Sequence, residues 1–477
     1  MHTIDLIIFF VYLIAMLGVG FFFMRRNKTP DDYYVGGRKL KAGHIGLSVV
    51  ATDVGGGFSI GLGGLGFLMG LSGSWLLFSG LVGAWLSAVI LIPKVSRLAR
   101  ERNFLTFPQF LEHAFNKKVA LFAGIITAIG YIGFTSSQIL AGAKLASSTF
   151  PALSMDTALL VMGTIAIVYT AIGGLKAVIY TDTVQWIVLM GGLLFVALPF
   201  AYFKIGGIEI ITSTLKPDFL SLTAISWSQI VNWLFTIVPI WFIGMTLYQR
   251  IYAAKDTKTA QRGWLIAGLF EYPLMAFLGV TLGMFARVAF ESGIITNYAI
   301  ADIDAEMGLP ILLRTILPAG LMGIVLSAYF SAIMSTADSC LMAASGNILT
   351  DVFKLHNKRH NLRYSQLITL LIGILALFIA LKVTSVLDLM LHSYSFMVSG
   401  MFIPVVAALS ARKPNPEAAL AAMLIGGGTT LILIIFDIKL AFGLDANIAG
   451  IAASGITYLI ENFISRLQKN DSIIPNN

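Results

Sequence analysis

The sequence predicts an all-α integral membrane protein of about thirteen transmembrane helices, because apolar residues make up 57% of the chain, charged residues only 12%, and the mean hydropathy is +0.85. A soluble globular chain carries roughly 25% charged residues, so lipid is the main solvent here. The apolar runs continue from residue 5 to about residue 463 with no polar stretch long enough to fold separately, which gives one transmembrane domain over 1–477. Cys340 is the single cysteine, so no internal disulfide can form and packing must hold the fold.

The first run, Ile4 to Phe23, lacks a basic start and an Ala-x-Ala cleavage site and is long enough to span; it is expected to remain as the first helix. Twelve further runs centre near Gly57, Val82, Ile129, Met162, Leu193, Ile237, Phe277, Leu326, Ile372, Met397, Leu424 and Ala452. Each is about enough to cross a hydrocarbon core of roughly 30 Å. Basic residues gather in alternate loops, notably Arg25 to Lys41 and Lys94 to Lys118, and with Arg250 and Lys255 in a later loop. Only Lys144, Lys204, Lys216, Arg287, Arg314, Lys382 and Lys439 fall on the other side, together with Asp302, Asp304 and Glu306. The excess of Lys and Arg in cytoplasmic loops then puts the N-terminus outside and the C-terminus inside, in a plasma membrane or, in a bacterium, the inner membrane. A net charge of +8 spread in this way forms no polybasic patch and excludes nucleic acid as a partner.

The second span interrupts itself. Asp53 and three consecutive glycines, Gly55 to Gly57, fall near mid-membrane, each glycine costing about 1 kcal/mol in a helix interior relative to alanine. Unwinding there frees carbonyl oxygens that can bind a cation. The ninth span, Ser327 to Cys340, is rich in hydroxyls, and Ala332 shares a helix face with Ser335 and Thr336. Carbonyls of Ala51, Val54 and Ala332 with the hydroxyls of Ser335 and Thr336 make a five-oxygen shell suited to a dehydrated sodium ion. The alternative is that both hydroxyls bond back to carbonyls one turn earlier.

Acids inside a membrane are expensive and usually functional. Asp182 is expected where a short loop enters the sixth span, either as a helix N-cap or as a cation relay. Glu271, in the eighth span, reads as a proton carrier, a partner for a solute ammonium, or a paired structural acid. No GxSxG, Walker loop, HExxH or metal-spaced His/Cys cluster occurs, so no catalysis is assigned.

Four segments in order resemble the sodium:solute symporter family, whose members include sodium/proline, sodium/sugar, sodium/sialic acid, pantothenate and choline transporters. They run from Asp31 to Arg38, from Tyr169 to Gln185, from Tyr248 to Lys255 and from Met334 to Ser339. The resemblance implies a leucine-transporter-type 5+5 inverted repeat, with spans 2–6 (about 44–204) and 7–11 (about 226–411) as the two units. The first span, and the last two at about 417–464, are peripheral. It implies a broken seventh span, for which Pro239 is the expected break, and a sodium site on Ala51, Val54, Ala332, Ser335 and Thr336. In the sialic acid branch a second cation site would fall on Asp182, Ser335, Asp338 and Ser339, although Asp338 stands here where that branch has serine. The implied solute lining is Asp53, Gly57, Phe58, Phe134, Gln138, Trp241 and Tyr248, fit for a small zwitterion or organic acid. The expected activity is sodium-coupled import by a monomer embedded in lipid. The rivals are a proton-coupled carrier using Asp53, Glu271 or Asp338, and a transporter-like solute sensor.

Overall fold

The computed structural model describes residues 2–24, 35–53, 55–150, 152–354 and 361–471. Among them the chain is helical throughout, with one isolated bridge between Leu40 and Ala254. The helices are α1 (Thr3–Met24), α2 (Ala42–Asp53), α3 (Gly56–Met69), α4 (Trp75–Ile90), α5 (Ile92–Arg102), α6 (Phe107–Ala114), α7 (Lys117–Thr149), α8 (Met155–Met190), α9 (Leu198–Lys204) and α10 (Gly207–Thr214), followed by α11 (Trp227–Ile243), α12 (Met245–Ala253), α13 (Thr257–Leu269), α14 (Ala276–Glu291), α15 (Ala305–Ile316), α16 (Leu321–Asn347), α17 (Asn361–Ala380), α18 (Val386–Ser410), α19 (Pro416–Ile435) and α20 (Ala446–Asp471).

Among the described residues eight helical stretches are long and apolar enough to cross a membrane, nine if the bent pair α11 and α12 is one span, with three shorter apolar helices besides. The count of about thirteen is therefore matched only as a many-span bundle. One reason is that regular structure continues where separate spans were expected. The stretch Ile60–Ile90 runs through a 3₁₀ turn at Gly70–Ser74, and α8 carries the chain from the fifth expected span into the sixth without a described loop.

Burial sorts the helices. The window of Leu321–Val352 is 94% buried, whereas that of Ala446–Gln468 is 17% buried, so α16 forms the centre and α20 the lipid-facing edge. Two central helices are broken. Between α2 and α3 the chain passes through an extended Gly55 (φ −60°, ψ −164°). Between α11 and α12 it bends by 42° at Gly244 (φ −63°, ψ 114°).

This second break corrects the expectation of one at Pro239, which lies inside α11. Proline removes the amide that would bond the carbonyl four residues earlier, here that of Phe235. Asn447 Nδ2 donates to that carbonyl at 3.1 Å, so the lost bond is replaced from α20 and the helix continues to Ile243.

A third interruption follows α13. Phe270–Met275 is a π-helical segment in which Tyr272 is non-helical (φ −134°, ψ 125°), and it begins one residue before Glu271. Such segments leave backbone groups unpaired and often mark functional positions.

Candidate functional site

The last carbonyls of α2 have no intrahelical partner, because the helix stops at Asp53. Thr336 Oγ1, on α16, donates to the carbonyl of Ala51 at 3.2 Å and shares the contact with that of Thr52 at 3.1 Å. The glycines permit this approach: a Cβ on Gly55 would overlap Thr336 Oγ1, and one on Gly56 would overlap Ile333 Cγ1. Gly55→Ala is therefore expected to push α16 off the break and weaken sodium binding at least about tenfold, near 1.4 kcal/mol, as measured with ²²Na⁺ on purified protein. Unchanged affinity would separate the break from the ion.

Ser335 does not bond back along its own helix either; it donates to Asp182 Oδ1 at 2.5 Å. Earlier on α16 the ordinary pattern holds, with Ser327 bonding the carbonyl of Gly323 at 2.8 Å and Ser331 that of Ser327 at 2.6 Å. The two hydroxyls assigned to a cation thus turn toward other helices instead of their own previous turn, whereas Ser331 does both, bonding its own helix and the Tyr12 hydroxyl of α1 at 2.5 Å. Ala332 lies one turn before Thr336 and is buried. Val54 lies outside the described residues.

Asp182 is inside α8, far from either end, which removes the N-cap alternative. Its carboxylate is wholly buried and accepts from Ser48 Oγ and Ser335 Oγ, while Arg250 Nη2 reaches Oδ2 at 3.2 Å. The same guanidinium donates to Thr52 Oγ1 and Ser339 Oγ, both at 2.7 Å, to Ser48 Oγ at 3.2 Å and to the carbonyl of Thr246 at 3.2 Å. Arg250 was expected as a cytoplasmic loop charge. It is instead fully buried, and in this conformation it holds two groups of the implied second cation site, Asp182 and Ser339. Of the other two groups, Ser335 donates to Asp182 and Asp338 accepts a hydrogen bond from Thr170 of α8.

The implied solute lining gathers only in part. Asp53 closes α2, and its carboxyl stands beside that of Glu271. Trp241 packs against Trp264, with ring centroids 6.3 Å apart, and lies over Gly83, where a Cβ would stand 3.2 Å from the indole Nε1. Phe134 stacks on Tyr394 at 4.9 Å, and Gln138 donates to Ser137 Oγ at 3.1 Å. All four of these side chains are buried. Tyr248 points elsewhere: its ring packs on Phe107 of α6 at 4.6 Å and its hydroxyl donates to the carbonyl of Phe242 at 2.9 Å. Gly57 and Phe58 belong to α3, of which only the backbone is described at those positions.

Sequence reasoning missed the partnership of Arg250 with Asp182 and the contact of Asp53 with Glu271. The signal for both was present as uncompensated ionisable groups in or beside apolar runs, but their partners lie 68 and 218 residues away.

The profile of the sodium:solute symporter family matches residues 33–426. The osmoregulated proline transporter OpuE of Bacillus subtilis is 26% identical over 480 residues, covering 96% of this chain and 94% of that one. The sodium/pantothenate symporter of Haemophilus influenzae is 26% identical, covering 95% and 94%. Among solved structures, a substrate-bound, outward-open Na⁺-coupled sialic acid symporter superposes with a TM-score of 0.80 at 23% identity over 96% of each chain. Mhp1, a nucleobase-cation-symport-1 family transporter, does so at 0.59 and 10% identity over 92% of this chain and 96% of that one. These two likenesses establish the fold. With the family profile spanning most of its length, the chain is a multi-pass membrane protein that belongs to the sodium:solute symporter family, a sodium-coupled carrier of a small organic solute.

Proposed function

We propose that sodium is held between the broken α2–α3 segment and α16, by the carbonyls of Ala51, Val54 and Ala332 and the hydroxyls of Ser335 and Thr336. The observation that carries this reading is the pair of hydrogen bonds from Thr336 Oγ1 to the carbonyls of Ala51 and Thr52. It brings a hydroxyl of one helix onto the unpaired oxygens of another. A sodium ion at that seam joins the two elements and favours whichever conformer brings their oxygens together, so sodium and solute assist each other's binding reciprocally. Each sodium carried inward is driven by about 2.3 kcal/mol per 100 mV of membrane potential, in addition to its concentration gradient.

The wider frame of this reading is thirteen spans, in two inverted units near 44–204 and 226–411. The N-terminus is outside, the C-terminus inside, and the chain works as a monomer in the plasma membrane. The two interrupted helices, α2–α3 and α11–α12, open corresponding positions of those units, which supports the repeat. The solute lies beside the break, among Asp53, Gly57, Phe58, Phe134, Gln138 and Trp241. Thr336→Ala is expected to lower sodium affinity about tenfold or more and Ser335→Ala somewhat less, read as ²²Na⁺ binding to purified protein. Wild-type affinity in both variants overturns the site.

A further inference from the structure

Three interrupted helices turn polar groups toward one buried place, and among the described residues no oppositely charged side chain pairs with them. Asp53 stands at the end of α2, Glu271 in the π segment after α13, and Trp241 three residues before the bend at Gly244. All are buried, with Glu271 and Trp241 at 0% exposure. Asp53 Oδ2, both carboxyl oxygens of Glu271 and the indole Nε1 of Trp241 lack a hydrogen-bond donor or acceptor among the described residues. α4 makes room for them. A Cβ on Gly80 would overlap Glu271 Oε2 and come within 4.0 Å of Trp241 Nε1, so the carboxyl and the indole N–H face the same small patch of backbone.

Two acidic groups pressed together in an apolar setting repel unless a cation or a proton stands with them. Among the described residues no ion pair reaches either one. Among the described residues, Cys340 of α16 and Tyr394 of α18 lie in their field, and neither is a cation. A primary ammonium offers three N–H donors and one positive charge, which matches three acceptor oxygens on an acidic pair. The indole N–H has no use for an ammonium; it needs an acceptor.

We propose that Asp53 and Glu271 form the recognition site for the ammonium group of the transported solute, with Trp241 Nε1 donating to an oxygen of the same molecule. The solute is then a small zwitterionic amine of the amino-acid class, rather than a sugar or an amine-free organic anion. The proposal rests on the symport reading above and narrows its solute. Glu271, placed by the π segment and admitted by Gly80, is the specificity-determining acid.

The test uses the full chain in lipid nanodiscs at saturating sodium, with thermal stabilisation as the readout. The probes are the protein α-amino acids and short ω-amino acids, their N-acetyl counterparts, pantothenate and D-glucose. At least one free amino acid should stabilise the protein while its N-acetyl form does not, and Glu271→Gln and Gly80→Ala should each weaken that ligand tenfold or more with ²²Na⁺ binding kept within twofold. Stabilisation by pantothenate, glucose or the N-acetyl compounds in place of the free amines overturns the proposal. So does wild-type amine affinity in both variants, or failure of every amine, in which case the pair holds a proton alone. A variant that also loses sodium has lost its fold, and the N-acetyl comparison on the unaltered chain then decides. Absence of ²²Na⁺ binding by the unaltered chain would count against the symport reading, separately from the amine result.

Discussion

Arg250→Ala is expected to destabilise the protein by roughly 3–5 kcal/mol, because it leaves the Asp182 carboxylate buried without its counter-charge. The guanidinium matches its surroundings donor by donor: Ser48 and Thr52 of α2, Ser339 of α16, Thr246 of its own helix and Asp182 of α8. Both charged side chains are wholly shielded from solvent, so neither can relax into water when the other is removed. The cost therefore comes mainly from the charge left behind rather than from the attraction lost. Removing both charges, as Arg250→Met with Asp182→Asn, should recover most of the stability, since neutral groups in the same volume need no counter-ion. Denaturant unfolding of the purified single and double variants checks this. A single variant within about 1 kcal/mol of the unaltered chain would show that water reaches Asp182 and that the bond is only a surface pairing.

Lys144→Met should have the next largest effect, a loss of about 3 kcal/mol joined to a local loosening at the start of α18. Lys144 of α7 is ion-paired to Asp304 and Glu306. Glu306 Oε1 accepts the amide of Leu387 at 2.9 Å, and its Oε2 that of Val386 at 3.0 Å, which are first-turn donors of α18 with no intrahelical partner. One carboxylate thus ties α7, α15 and α18 together, helped by the favourable field of a helix N-terminus for negative charge. Without the ammonium, Glu306 remains mostly buried with only amide donors, and those bonds should open more often. Hydrogen exchange should show faster exchange at Val386 and Leu387 than at the middle of α18. Protection equal to that of the unaltered chain would mean that the amides alone hold the carboxylate. Adding Glu306→Gln to Lys144→Met should restore part of the stability.

The sequence by itself determined the solvent of this protein, the helical character of its spans, and the place where the first central helix fails. Composition fixes the first, because an apolar majority with so few charges cannot face water. The run Gly55 to Gly57 marks the third, because helix propensity is a local property and consecutive glycines weaken it; the chain is extended at Gly55 and helical again from Gly56. The turn of Ser335 and Thr336 toward a partner was legible only as one of two alternatives, since a hydroxyl on a helix can bond its own previous turn as readily as a neighbour. Tertiary structure decided that Pro239 would not end α11, because the carbonyl it orphans meets Asn447 from a helix more than two hundred residues away. It likewise decided that Arg250 would be a buried anchor rather than a loop charge, and that Asp53 would meet Glu271. In lipid every polar group must be satisfied from within the protein, and which distant helix supplies the partner is a matter of packing that no local pattern records.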